Sequence, residues 1–295
     1  MNRTFFVILV AVLTAAFTLA TETFASSLQP SAFTRNFSLF AGLDGSKQPQ
    51  DLGINANMGA RFAVDSGLPL WRSMGLGLHV GAGANFSDAA VHVLDQIEGT
   101  SRRSQYYGAA GLFQRTQRAS WALGYDYQFN SYYDDFSLGQ LRGQVGYAVT
   151  PNNELGFWGT TGVQSDSGLM SDTAVNLEPI TQVNAFLRHT WPSHAWTSVW
   201  FGFADGHDNV VWVLPPDTRN SNVFVYGADL RVPLSDRFAM TGAANFLTPT
   251  STGTVDAHLG LTFYPGGGVM SRKMDAFAPV QTAANNSTFS VDLTR

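Results

Sequence analysis

The 295-residue sequence contains no cysteine, which excludes disulfide staples and thiolate metal sites. It is also poor in charge: Asp, Glu, Lys and Arg together make up 13%, where soluble domains usually carry ~25%. The net charge of −5 supplies no basic excess, so no nucleic-acid partner is expected. Beyond residue 25 no stretch approaches the ~20 consecutive apolar residues of a spanning helix. The apolar run at 5–19 is shorter than that. It follows Arg3 and leads to Thr23-Phe24-Ala25, a small-x-small pattern before Ser26. Residues 1–25 therefore read as a signal peptide, with a cut after Ala20 and a retained anchor as the alternatives. An exported chain without spanning helices is either a soluble extracytoplasmic protein or a barrel that crosses a membrane with strands.

Glycine and aromatic side chains are abundant, with 29 Gly and 13% aromatics. They fall into a pattern of period two. In residues 74–86, Met74, Leu76, Leu78, Val80, Ala82, Ala84 and Phe86 alternate with Gly75, Gly77, His79, Gly81, Gly83 and Asn85. Successive side chains of a strand point to opposite faces, so one face of this segment is apolar and the other small or polar. The alternation is nearly as clean in 51–64 and recurs in 119–130, 138–149, 222–232 and 255–264. Segments 154–163, 180–189 and 238–247 follow it. Segments 37–43, 106–115 and 196–204 are strands of loose phase, the last because both of its faces are apolar.

About twelve strands result, and their connections alternate. Those after even-numbered strands are mostly short. Those after odd-numbered strands are mostly longer and polar, as in barrels with tight periplasmic turns and long outer loops. The opposite face carries Gly, Asn, Gln and Ser rather than the charges of a water-facing surface. Phe62, Phe86, Trp121, Tyr127, Phe129, Phe238, Phe246 and Phe263 sit near strand ends on the apolar face, as an aromatic girdle would. The expected fold is all-β, an antiparallel transmembrane up-and-down β-barrel of about 12 strands. The expected organisation is signal peptide 1–25, linker 26–36, barrel 37–264 and a flexible periplasmic tail 265–295. A short strand or entry into the lumen by residues 288–293 is the alternative for the tail. A soluble sandwich or lipocalin-like barrel is the competing fold.

The inner lists supply pore-lining candidates: Arg61, His79, Asp126, Arg142, Arg188, Asp229, Arg231, Asp256 and His258, with Glu154 and Arg115 nearby. Opposed basic and acidic groups set a transverse field in a narrow pore; the same groups, paired across the lumen, would fill it. Inward Gly75, Gly77, Gly81 and Gly83 tilt the expectation toward free space, and they equally make room for an arginine or the tail. Residues His189, His194 and His207 fall in or near loops, outside any local nucleophile motif. No catalytic residue, metal ligand or cofactor is assigned, and a hydrolase is the less favoured reading. Asp205-Gly206-His207-Asp208 lacks the repeat of a calcium loop. The expected function is a passive pore for small solutes or ions, with a filled structural or surface-interaction barrel as the alternative.

The signal peptide, the alternating strands and the final strand ending Phe263-Tyr264 resemble bacterial outer-membrane β-barrel proteins over residues 37–264. The segment 278–292, APVQTAANNSTFSVD, resembles an uncharacterised family of barrels described from planctomycete bacteria. The resemblance implies a location in a bacterial outer membrane. It implies outer-membrane lipid and the barrel assembly machinery as partners, with small solutes if the lumen is open. In many such barrels a terminal aromatic residue closes the last strand; here about thirty residues follow Tyr264, so the assembly signal would be internal.

Overall fold

The computed structural model describes residues 36–48, 56–89, 101–170, 173–205, 207–209, 218–220, 223–248, 254–271 and 275–294. The signal peptide and nearly all of the linker lie outside these residues, as do Asp95 and Glu98 of the long third loop. Twelve strands close an antiparallel barrel. In chain order they are β1 (Phe37–Lys47), β2 (Asn57–Trp71), β3 (Leu76–Ala89), β4 (Arg103–Arg115), β5 (Ala119–Ser131), β6 (Asp135–Ala148), β7 (Asn153–Gln164), β10 (Gln182–Thr190), β11 (Trp196–Ala204), β14 (Val223–Pro233), β15 (Phe238–Thr248) and β16 (Thr254–Phe263). Two hairpins interrupt this series, β8 (Asp166–Met170) with β9 (Thr173–Pro179), and β12 (His207–Asn209) with β13 (Thr218–Asn220). A last strand, β17 (Val291–Thr294), lies against β9.

Each barrel strand pairs with its neighbours along the chain, and β1 closes on β16 with Leu39 opposite Phe263 and Lys47 opposite Val255. Closure gives every barrel strand a partner on both sides, the condition for a sheet to cross lipid. The outward positions are large and apolar. Leu43, Met58, Leu123, Phe157 and Leu259 are all more than half exposed, a surface suited to hydrocarbon rather than water. Two aromatic belts bound it. On the loop side Phe86, Tyr106 and Phe129 run together, Phe203 meets Phe224 at 5.3 Å, and Tyr226 stacks on Phe246 at 5.2 Å. On the turn side lie Trp71, Trp121, Tyr147 and Trp191, with Phe238 against Phe263 at 5.0 Å. From Trp121 to Phe129, about eight steps of ~3.3 Å on a strand tilted ~40° rise ~20 Å, near the ~25 Å apolar band of such barrels.

The turns at 116–118, 149–152, 191–195 and 234–237 are tight, and the hairpin-bearing connections lie at the other end. The connection expected at 65–73 is mostly strand. Past Ser66, β2 has lost β1 as a partner and pairs with β3 alone, so Pro69 removes no hydrogen bond on that free side. Only Arg72–Met74 leaves the ladder, as a 3-10 turn closed by Gly75 at φ +66°. That turn takes Met74 and Gly75 out of the strand expected to begin at residue 74. The loose phases are also resolved. On β4, Arg103, Gln105, Tyr107, Ala109 and Phe113 point inward and Tyr106 and Leu112 outward. On β11, Val199, Phe201 and Phe203 face outward. Its inner face is apolar too, because Trp200 and Ala204 belong to an internal cluster with Ile180, Phe186, Val223, Val225 and Leu247.

The expectation of a flexible tail outside the barrel is corrected. After β16 the chain turns at Gly267 (φ +68°) and Gly268 (φ +74°), where the Gly268 amide donates to Asp236 Oδ1 at 3.0 Å. It then enters the lumen, and residues 283–287 are buried there. It ends at the loop side as β17, paired with β9 from Val291 opposite Pro179 to Thr294 opposite Asn176. Of the two alternatives for 288–293, a short strand or entry into the lumen, a short strand is found at Val291–Thr294. The physical cause of the tail's course is the composition of the wall: inward small residues leave room, and inward polar groups need partners that a polar tail supplies.

Candidate functional site

The site is the lumen with its internal segment. Gly81 and Gly83, inward on β3, face the tail. A Cβ on Gly81 would lie 2.9 Å from both the Ala283 Cβ and Asp65 Oδ1, and one on Gly83 would lie 3.7 Å from the Ala284 carbonyl. On β2, a Cβ on Gly67 would collide with the Phe277 carbonyl and Pro279. Gly77 instead accommodates the Phe113 ring. The inward glycines thus make room chiefly for the tail rather than for open space.

The wall then holds the tail by its backbone. Asp65 Oδ1 accepts from the Ala283 amide at 2.5 Å and is paired with His79 Nε2 at 2.8 Å. Arg142 donates from Nη2 to the Thr282 carbonyl at 2.6 Å and to Asp126 Oδ1 at 3.0 Å. Gln140 Nε2 spans Asp126 Oδ2 and the Thr288 carbonyl, at 3.0 and 2.8 Å. Higher up, the Asn286 side chain donates to Asp44 Oδ2 at 2.9 Å and accepts from the Tyr107 hydroxyl at 2.6 Å. Residues 285–289 form a turn of their own: the Thr288 and Phe289 amides donate to the Asn285 carbonyl, at 2.9 and 2.8 Å. A backbone buried inside a barrel has no neighbouring strand here, and this local turn satisfies its donors.

At the loop end the chemistry changes. Phe289, Val291 and Leu293 are fully buried among Tyr107, Phe136, Leu138, Met170, Val175 and Leu177. Each large apolar side chain so buried contributes ~1.5–3 kcal/mol relative to exposure. This apolar cap is formed with the β8–β9 hairpin at the loop side of the lumen. At the turn end a cavity of about 260 Å³ remains beside the tail.

The candidate residues divide between these two ends. Arg61, Arg142, Arg188, Asp229, Arg231 and His258 line the turn-side cavity, together with Arg115, Glu154 and Asp65. Arg188 donates to Glu154 Oε2 at 3.3 Å and to Ser198 Oγ at 3.0 Å, with its guanidinium 4.8 Å from the Trp196 ring. Arg61 lies 3.3 Å from His258 Nδ1 and over the Phe40 ring. Arg231 donates to the Val269 carbonyl at 2.5 Å and covers Tyr264. His79 is buried behind Asp65. Asp126 sits above, paired with Arg142 at 2.9 Å, and Asp256 higher still, accepting from Gln48 at 2.8 Å. Asp44, Tyr107, Arg103 and the Asn285–Asn286 pair complete the site and escaped the sequence reading. Asp44 lies one residue past the expected strand 37–43, while Tyr107 lies on, and Arg103 before, the expected strand 106–115, whose phase is loose. The inner alternation around them was the available signal.

Among the described residues no three His, Asp or Glu side chains gather to hold a metal ion. His189 is engaged with Asn153 Oδ1 at 2.8 Å and packs edge-on against Trp191.

Solved structures share the fold at low identity. A membrane protein from work on in-meso crystallization aligns at 11% identity with a TM-score of 0.50, covering 87% of this chain and 100% of its own. The outer membrane phospholipase A of Escherichia coli aligns at 11% and 0.45, covering 80% and 93%. The KdgM porin aligns at 8% and 0.42, covering 76% and 98%. No curated protein matches the sequence. A family model does match, over residues 36–291, which takes in the barrel and all but the end of its internal tail: the chain belongs to DUF6666, a family of unknown function.

Proposed function

We propose that this protein is a bacterial outer-membrane channel for small solutes or ions, held shut by its own C-terminal segment. The observation that carries the reading is the way the tail is held. Polar wall groups on β2, β6 and β1 grip its backbone and amide side chains, while a cavity persists alongside it. A wall of hydrogen-bonding side chains can exchange a polar plug for water at modest net cost, since each such bond contributes ~0.5–1.5 kcal/mol net. Barrels of about this strand number lie between filled and open ones, so a plug is enough to decide conduction. The Trp and Tyr belts and the lipid-facing apolar band support the outer-membrane placement.

The test is single-channel conductance in a planar bilayer, comparing the intact chain with one ending after Tyr264. A closed intact chain and a conducting truncated one is the expected result. Steady conductance from the intact chain would mean that the tail leaves a path. Silence from both, with folding confirmed, supports the second reading, a filled structural barrel. The apolar cap built on Phe289, Val291 and Leu293 favours that reading, because apolar burial is costly to undo. We read the chain as non-enzymatic; phospholipid hydrolysis by the purified protein would overturn this.

A further inference from the structure

We propose that the turn-side cavity is a binding site for a small organic carboxylate with a flat, apolar body. The proposal is independent of whether the barrel conducts. Three observations converge on it. The first is charge. Arg61, Arg115, Arg142, Arg188 and Arg231 line the cavity against three carboxylates, Asp65, Glu154 and Asp229. Arg142 is neutralised by Asp126 at 2.9 Å, which leaves four arginines against the three carboxylates, a local cationic excess of one. Inside a low-dielectric wall such an excess favours an anion strongly.

The second observation is preorganisation. Arg188 is fixed by Glu154, Ser198 and the Trp196 ring, and Arg231 by the Val269 carbonyl and the Tyr264 ring. Guanidinium groups held in this way have little side-chain entropy left to lose. The third is aromatic surface beside the arginines. Trp158 and Trp200 meet edge to face at 5.8 Å, the Phe186 ring lies under the Arg188 guanidinium at 5.2 Å, and all three border the same cavity. Aromatic surface next to cationic groups in one space favours a ligand with an apolar body and an anionic end over a bare inorganic ion. The volume, about 260 Å³, lies at or below the small end of ligand pockets and limits the body to about one ring.

The test is calorimetric titration of the intact, refolded chain in detergent with benzoate, its neutral isostere benzamide and the benzylammonium cation. Saturable benzoate binding is expected, with benzamide at least ~10-fold weaker and the cation absent. Two variants carry opposite signs. Arg115→Gln should weaken benzoate ~10-fold, and Asp229→Asn, which removes a competing negative charge, should tighten it several-fold. A tightening cannot come from misfolding. Equal affinity for benzamide, weaker binding in Asp229→Asn, or no saturable benzoate binding would each overturn the proposal. None of these outcomes touches the conductance test of the channel.

Discussion

The two halves of the lumen are built on the same strands and solve different problems. The turn-side half is hollow, arginine-rich and bordered by aromatic rings. The loop-side half is filled: Asn286 bonds Asp44 and Tyr107, and above them Phe289, Val291 and Leu293 sit in an apolar cap. One segment of chain crosses both, held by hydrogen bonds below and by apolar burial above. Hydrogen bonds to a wall are exchanged for water at little net cost, whereas buried aromatic and aliphatic surface is not. The loop end should therefore be the latch and the turn end the adjustable part.

The largest effect is expected from Phe289→Ala. The side chain is fully buried, and truncating such a residue costs ~3–5 kcal/mol. If the cap is the latch, protease cleavage of the tail should rise ~100-fold or more, since ~1.4 kcal/mol is tenfold. Channel openings should become frequent. An unchanged cleavage rate would place the latch elsewhere.

Asp65→Asn acts on the turn side. Asp65 accepts from the Ala283 amide and holds His79, so losing its charge weakens a charge-assisted bond worth ~1.5–3 kcal/mol. Tail cleavage should rise less than in Phe289→Ala. The reverse order would invert the comparison between the halves. Gly81→Ala tests the fit of the tail without removing a polar group. The new Cβ would lie 2.9 Å from Ala283 Cβ and Asp65 Oδ1, and overpacking of this kind costs ~1–3 kcal/mol. The strand keeps its ladder, so the barrel should keep its thermal transition while the tail loosens.

The contrast between the halves also explains what the sequence made legible. Strand number, closure and the outward lists follow from a period of two, which both Trp121–Phe129 on β5 and Val255–Phe263 on β16 obey. The period fails as a signal wherever the inner face is apolar as well. On β11, Trp200 and Ala204 belong to the internal cluster, and the two faces look alike. The tail was the hardest part, because its recognition is long-range. Ala283 meets Asp65 and Asn286 meets Asp44 across more than two hundred residues. Its polar, small-residue composition is that of a linker as much as of a plug for a polar lumen. Gly81 was visible as an inward glycine, but what fills the space it leaves is a property of the closed barrel.

The smallest effect should come from the rim. Arg102 Nε lies 3.9 Å from Asp88 Oδ2, with side chains 88% and 46% exposed. Pairs of this exposure contribute ~0–1 kcal/mol and are screened by salt. Asp88 also keeps two other partners, the Ser101 hydroxyl at 2.5 Å and the Ala89 amide at 2.9 Å, so removing the arginine orphans no buried charge. Arg102→Ala should therefore leave urea stability within ~0.5 kcal/mol of the parent and leave tail cleavage unchanged. A shift comparable to that of Asp65→Asn would mean that the rim communicates with the plug, and the division into a latched half and an adjustable half would have to include the outer loops.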